Sequence, residues 1–373
     1  MIARAIAWSA RNLLLVLFGT TFAAAAGLYA LIHLPLDAIP DLSDTQVVVY
    51  TEYPGQAPQV IEDQVTYPLT TAMLTVPKSK VVRGFSFFGV SFVYVIFEDG
   101  TDIYWARSRV LEFLNSVTSR LPAGVSPTIG PDATGVGWVY QYAVISKELN
   151  LSDTRTIQDW NLRFALAKAE GVAEVASVGG FVKQYNVILD PQRMRDRGIT
   201  MQKMREAIRA SNADVGGRTV ELSEFEYVIR GKGYLKSIND LSNIVLKASN
   251  GTPVLLRDVA RVELGPDERR GITELNGEGE VASGIVLQRF GVNALRVIDN
   301  VKRRFEEIAT SLPKSVEIVP VYDRSSLIYA AIDTLKRTLV EESIVVALVC
   351  VVFLLHVRSA LVAILMLPVG VLM

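Results

Sequence analysis

The sequence predicts an α+β membrane protein. Transmembrane helices carry a large outer region of two split-βαβ (ferredoxin-like) units, and an inserted domain interrupts the second unit. Three observations predict this. Apolar runs of membrane length stand near both ends of the 373 residues. The long, mostly polar stretch between them contains an internal duplication. Within each copy the hydrophobic period alternates between that of a strand and that of a helix.

Residues 13–34 contain no Asp, Glu, Lys or Arg. At about 1.5 Å per residue this run covers the roughly 30 Å hydrocarbon core of a bilayer. It is too long for a typical signal-peptide core, and no small-residue cleavage site with a plausible flank follows it, so a retained helix is expected. Arg4 and Arg11 precede the run and the first acid is Asp37, which puts the N-terminus in the cytoplasm and the middle of the chain outside it. Trp8 and Tyr29 stand where interfacial aromatics are expected. A second apolar run begins near Leu339, turns at His356-Val357-Arg358-Ser359, and leads into a third run that reaches Met373. Glu341 and Glu342 read as the outer, interfacial end of the second run; the sharper alternative is a buried functional carboxylate.

The duplication is read at two offsets. VIFEDGTD and a helix ending in LPAGV match VLQRFGVN and a helix ending in LPKSV, so that Gly100 pairs with Gly291, Asp102 with Asn293 and Val110 with Val301. Asp102 and Asn293 are N-cap residues, and the apolar pairs form one helical stripe. Upstream, a strand at 46–53, a helix opening at Pro58 and a strand at 78–87 correspond to a strand at 138–146, a helix at 155–169 and a strand at 172–178. Ile61, Val65, Leu69 and Met73 lie on one face of the first helix, which Pro68 should bend. The two offsets differ because about 180–271 is inserted in the second copy. The insert has a strand at 185–189, a helix at 201–210 and a hairpin turning at Asn250-Gly251 between 244–248 and 253–256. A further hairpin at Asn276-Gly277 leads back into the second unit.

Half the residues are hydrophobic and the net charge is -1, so nothing points to nucleic acid. The one cysteine, Cys350, lies in an apolar run, so the outer region holds itself by its cores and not by disulfides. There is no phosphate loop, HExxH or CxxC, and no catalytic constellation. His33 and His356 sit at membrane edges. The glycine-rich GPDATGVGW reads as a linker between the units. Met73, Met194, Met201 and Met204 carry thioethers that suit Cu(I) and Ag(I), but helix packing explains them more simply. Arg83, in VVRGFSFFG, reads as a solvent-facing strand charge.

DAIPDLSDTQV, TEYPGQAPQVIEDQVTYPLTTAM, VRGFSFFGVSFVYVIFEDGTDIYWARSRVLEFLN, GPDATGVGWVYQY and EVASVGGFVKQY resemble the heavy-metal efflux permeases of the resistance–nodulation–division superfamily. The resemblance is to the CusA/CzcA type, nearest its copper/silver branch, and runs from Met1 to HVRSALVAI. It implies an N-terminus and first transmembrane helix at 1–36, a first periplasmic pore subdomain at 37–132, and a second at 133–179 and 272–335. It further implies a docking subdomain at 180–271, a second transmembrane helix at 336–357, and the start of a third at 360–373. The implied function is proton-driven export of metal cations from the inner membrane or periplasm, by a homotrimer working through a periplasmic adaptor and an outer-membrane channel. No cofactor is implied beyond the transported metal and protons. SNADVGGRTVELSEFEYVIRG resembles the loop region that helps hold subunits together, and Arg83 matches a charged position of the family's periplasmic cleft.

Glu268 departs from the copper/silver pattern, standing in GPDERRG where such members can carry Met; an oxygen ligand suits harder or borderline cations. The family's proton relay and methionine triad lie in parts without counterparts in these residues, so transport by them alone is not expected. The alternatives are a zinc, cobalt or cadmium exporter, a drug exporter of the same superfamily, or a membrane-anchored periplasmic sensor. A sensor usually continues from its second helix into a charged signalling helix, whereas this chain gives a short turn and another apolar run.

Overall fold

The computed structural model describes residues 2–33, 37–249, 251–267 and 271–354, together with Val362, Ile364, Met366 and Gly370. Asn250, Glu268, His356 with its turn, and most of the third apolar run lie outside the described residues.

A helix over Ile2–Arg11 passes through Asn12 into a helix over Leu13–His33. The Asn12 amide donates to the Trp8 carbonyl at 3.0 Å and its carbonyl accepts from the Val16 amide at 3.1 Å, so the backbone ladder continues across the break. The stretch Leu13–Ala30 is long and apolar enough to cross a membrane, and none of its residues is buried in the rest of the chain.

The first unit has strands β1 (Gln46–Glu52), β2 (Ser79–Phe87), β3 (Val90–Phe97) and β4 (Pro127–Ile129), in the order β2-β3-β1-β4. All neighbours are antiparallel, as in a ferredoxin-like split-βαβ unit. Two helices, 58–73 and Ile103–Thr118, cover one face. Strand residues alternate across the sheet, so Val47, Val49, Val93, Val95 and Phe97 point to the helices and are buried. The predicted stripe of Ile61, Val65, Leu69 and Met73 meets them, fully buried.

The second unit uses β5 (Trp138–Ser146), β6 (Val172–Gly179), β13 (Ala282–Gln288) and β14 (Val316–Asp323), in the order β14-β5-β13-β6. Written from its other edge, this is the order of the first sheet. The paired helices Ile103–Thr118 and Ala294–Ala309 start one residue after their caps. The Asp102 carboxylate accepts from the Trp105 amide at 2.7 Å, and the Asn293 side chain accepts from the Arg296 amide at 3.1 Å. Val110 and Val301 are both buried. In the middle of the sheet Gly284 pairs directly with Tyr142, whose ring lies across it: a Cβ at Gly284 would stand 2.3 Å from the ring and its hydroxyl.

Two differences from expectation concern the first helix of each unit. The expected bend at Pro68 is a π-turn at Glu62–Thr66, just ahead of Tyr67-Pro68. In the second unit the helix starts at Leu151, not 155, and ends at Leu166. Asn150 sets that start by accepting from the Asp153 amide at 3.0 Å, a cap hidden in the polar run NLSDT. This helix also has a π-turn, Gln158–Leu162, without any proline, so proline is not the common cause. What the two turns share is a polar side chain turned onto the sheet. Thr66 hydrogen-bonds Ser86 and Ser91, both at 2.8 Å. Gln158 accepts from the Tyr142 hydroxyl at 2.8 Å and donates to Ser177 at 3.2 Å.

Between β6 and β13 the chain forms β7 (Lys183–Leu189), β8 (Val215–Leu222), β9 (Phe225–Gly231), β10 (Val245–Ser249), β11 (Thr252–Leu255) and β12 (Ala260–Pro266). They pair as β7 with β12, β10 with β11 and β8 with β9. Met194, Met204, Leu241, Leu246 and Leu256 build a separate core there with Val254. Met73, Met194 and Met204 are thus packing residues, whereas Met201 is 53% exposed and lies outside the core, contrary to the packing expectation. The β8–β9 hairpin is exposed along its whole length. On the return path Asn276 and Gly277 both take positive φ, 56° and 75°, and close the expected turn beneath the Glu274–Glu280 bridge.

The last helix, Arg324–Leu354, starts directly from β14, well before the apolar run near Leu339. Its first turns belong to the second unit: Ile328 is buried in that core and Ile332 packs on it. Glu341 accepts from Arg337 at 2.9 Å, an ordinary pair one helical turn apart.

Candidate functional site between the two units

The outer face of the first sheet, opposite its helices, looks toward helix 151–166 and β6 across a cleft of about 790 Å³. Val48, Tyr50 and Phe92 line one wall, and Phe164, Ala173 and Val175 the other. Tyr50 and Phe92 are in contact at 5.2 Å between ring centres, and Trp160 stands 6.1 Å from Phe164 at the exposed side of the facing helix. Arg107, Arg163, Asp132 and Glu174 supply its charge.

Gly130, Pro131 and Asp132, the start of the linker 130–137, also line the cleft, and the linker is pinned from both sides. Arg107 donates to the Gly130 carbonyl at 2.7 Å. Asp132 accepts from the Tyr104 hydroxyl of the first unit at 3.1 Å and lies 3.5 Å from the Arg289 guanidinium of the second. Thr134 donates to Asp41 at 2.6 Å. Below the linker Arg324, fully buried, donates to Val136 and Trp138 carbonyls at 2.5 and 2.8 Å and to Asp37 at 3.1 Å.

Arg83 stands apart from this cleft. It is exposed on the edge strand β2, opposite Tyr94 and beside Phe85, with no ion-pair partner among the described residues. Glu268 lies outside the described residues. Among the described residues no group of three or more His, Cys, Asp or Glu is gathered as a metal-ligand set. Asp132 and Arg324 carry no sequence motif, and Asp37 stands out only as the first acid after the apolar run; the Asp-Arg-Ser string at the start of a helix is the one signal of the junction, and it also describes a solvated cap.

Two carboxylates near the base carry depressed pKa values. At Asp323 burial pushes the pKa up, but hydrogen bonds from Lys302 and Ser325 outweigh it and hold the group below its ordinary 3.8. At Asp41 burial likewise raises the pKa and is outweighed by Thr134, Ser43 and the nearby Arg324. A depressed folded pKa gives stability that is complete above the unfolded value and is lost as pH falls through the folded one. The thermal midpoint of the chain is therefore expected to fall below about pH 4, and Asp323→Asn should flatten that fall. A thermal unfolding series across pH checks this; an Asp323→Asn curve parallel to the parent's would remove Asp323 from the account. Burial raises the Tyr142 phenol well above its ordinary value, and the hydroxyl donates to Gln158.

Residues 6–373 match the AcrB/AcrD/AcrF family. The chain belongs to the AcrB/AcrD/AcrF family. It is 59% identical over 365 residues to the cation efflux system protein CusA of Escherichia coli strain K12, covering 97% of this chain and 35% of that protein. The putative cation efflux system protein SilA of Salmonella typhimurium is 57% identical over the same shares. The cobalt-zinc-cadmium resistance protein CzcA of Cupriavidus metallidurans is 35% identical, over 100% of this chain and 36% of its own. A crystal structure of a heavy metal efflux pump superposes with a TM-score of 0.87 at 34% identity, over 96% of this chain and 36% of that one. The predicted α+β fold therefore stands, on the heavy-metal efflux side of the AcrB/AcrD/AcrF family. The chain spans about a third of the length of the curated relatives it matches.

Proposed function

We propose that these residues form the N-terminal portion of the inner-membrane permease of a tripartite, proton-driven heavy-metal efflux system, with Cu(I) and Ag(I) as cargo. The observation that carries the metal is the gap in identity: 59% and 57% to CusA and SilA, against 35% to the cobalt-zinc-cadmium protein. In this reading the first and second sheets are pore subdomains, the insert between β6 and β13 is a docking subdomain, and both lie in the periplasm with the N-terminus in the cytoplasm. The helix Leu13–His33 and the apolar part of Arg324–Leu354 cross the bilayer. The exposed β8–β9 hairpin suits a subunit contact in a homotrimer, and the docking face suits an outer-membrane channel and periplasmic adaptor. Arg83 remains a proposed position of the periplasmic cleft. Glu268 favours the second reading, in which the cargo is zinc, cobalt or cadmium.

A chimera tests the choice. Residues 1–373 replace the matching span of E. coli CusA in cells lacking it, and growth is measured against each metal. Restored tolerance to copper and silver is expected. A membrane-inserted chimera that protects against zinc or cobalt instead would overturn the copper/silver assignment.

A further inference from the structure

Arg324 is the largest fully buried side chain among the described residues, and it belongs to no cleft or core stripe. Three separated parts of the chain meet at it. Asp37 follows the first long helix, Val136 and Trp138 close the linker, and Arg324 itself opens the last helix. Its Nε has no hydrogen-bond partner, so the guanidinium is held by its two terminal nitrogens alone. The surroundings tighten the same point. Ala38 packs on the second core, Asp41 holds Thr134, and Asp323 takes hydrogen bonds from the Ser325 amide and hydroxyl while pairing with Lys302 at 2.6 Å.

A charge is costly to bury and is tolerated when paired and hydrogen-bonded. Here the pairing does something that an apolar side chain of equal volume could not. It ties Asp37, four residues after the first long helix, and the first residue of the last helix to one spot at the start of β5. The last helix has 31 residues, about 45 Å at its ordinary rise, against roughly 30 Å of hydrocarbon. Its first turns lie in the second core through Ile328 and Ile332, with no break before Leu354.

We infer that Arg324 is a coupling residue: it makes Asp37, the end of the linker and the start of the last helix one rigid joint, so that movement of the last helix is delivered to the second unit and the linker instead of being absorbed at a hinge. The inference rests on the reading of both helices as membrane spans. In a permease, such a joint carries work between the membrane and the outer region.

The test uses the full chain in lipid nanodiscs with Cys350→Ser and pairs of spin labels. One pair, Leu335→Cys with Trp160→Cys, reports the last helix against the second unit. A second pair, Trp160→Cys with Lys314→Cys, reports the second unit alone. Arg324→Gln is expected to widen the first distance distribution by about twofold or more and leave the second unchanged, the signature of two bodies uncoupled. If the first distribution stays as narrow as the parent's, coupling through Arg324 is wrong. If both widen together, Arg324 serves only the stability of the second unit, and the proposal also fails. A membrane-impermeant thiol reagent, applied to intact cells carrying the position-160 substitution alone, reports separately on topology. Lack of reaction from the outer side would sink the membrane reading without touching the joint.

Discussion

Gly284→Ala should destabilise the second unit by about 3 kcal/mol, toward the upper end of the range for overpacked cores. The new methyl would stand 2.3 Å from the Tyr142 ring, and that ring has little room to retreat. It is buried, packs edge-on against Phe305 at 4.9 Å, and is held by its hydroxyl to Gln158. Denaturant unfolding of the detergent-solubilised chain, followed by near-ultraviolet dichroism, measures the loss. Repeating it in a Tyr142→Leu background isolates the cause. If the ring is what the methyl meets, most of the penalty disappears there, a strong departure from additivity. An undiminished penalty would mean that the strand itself, and not the ring, resists the substitution.

Asp37→Ala is the second large effect. It removes the only carboxylate paired with Arg324 among the described residues and leaves a guanidinium of zero exposure held by carbonyls alone. Breaking a buried ion pair from one side costs about 3–5 kcal/mol. The Asp37 side chain is 25% exposed, so solvent screens part of the pair and the loss should lie near 3 kcal/mol. Arg324→Met in the same chain leaves no buried charge, and adding it to Asp37→Ala should restore part of the stability. A double mutant no more stable than Asp37→Ala alone would mean that the carboxylate, and not the charge balance, matters at this joint.

The parts of the fold that could be read from the residues are those fixed by local rules. The caps Asp102 and Asn293 and the stripes behind them carry their own signals, which is why the duplicated helices could be aligned residue by residue. The insert was visible because it breaks the spacing of that repeat. The cap at Asn150 was missed because Ser152, Asp153 and Thr154 look like loop, although Ser152 and Thr154 are buried. The junction at Arg324 left no trace beyond the Asp-Arg-Ser string, which does not name its partners. Its partners lie 186 to 287 residues away along the chain, and no periodicity records a contact between segments so distant. The separation of Arg324 from Asp37, 287 residues, spans nearly the whole outer region. Arg83 was legible only as a strand residue facing outward, and that is where it lies.

The π-turns bear on how freely the two units can exchange parts. Each widened turn seats a polar group chosen to suit the strands beneath it: a short hydroxyl at Thr66 over two serines, a longer amide at Gln158 over a tyrosine and a serine. The helices are therefore keyed to their own sheets and are not interchangeable spares. A graft of helix 58–73 into the second unit would bring a side chain too short to reach Tyr142, leaving a buried hydroxyl without its acceptor. After duplication, each copy had to drift as a helix and its strands together, and recombination between the copies is confined to pieces that carry lock and key at once.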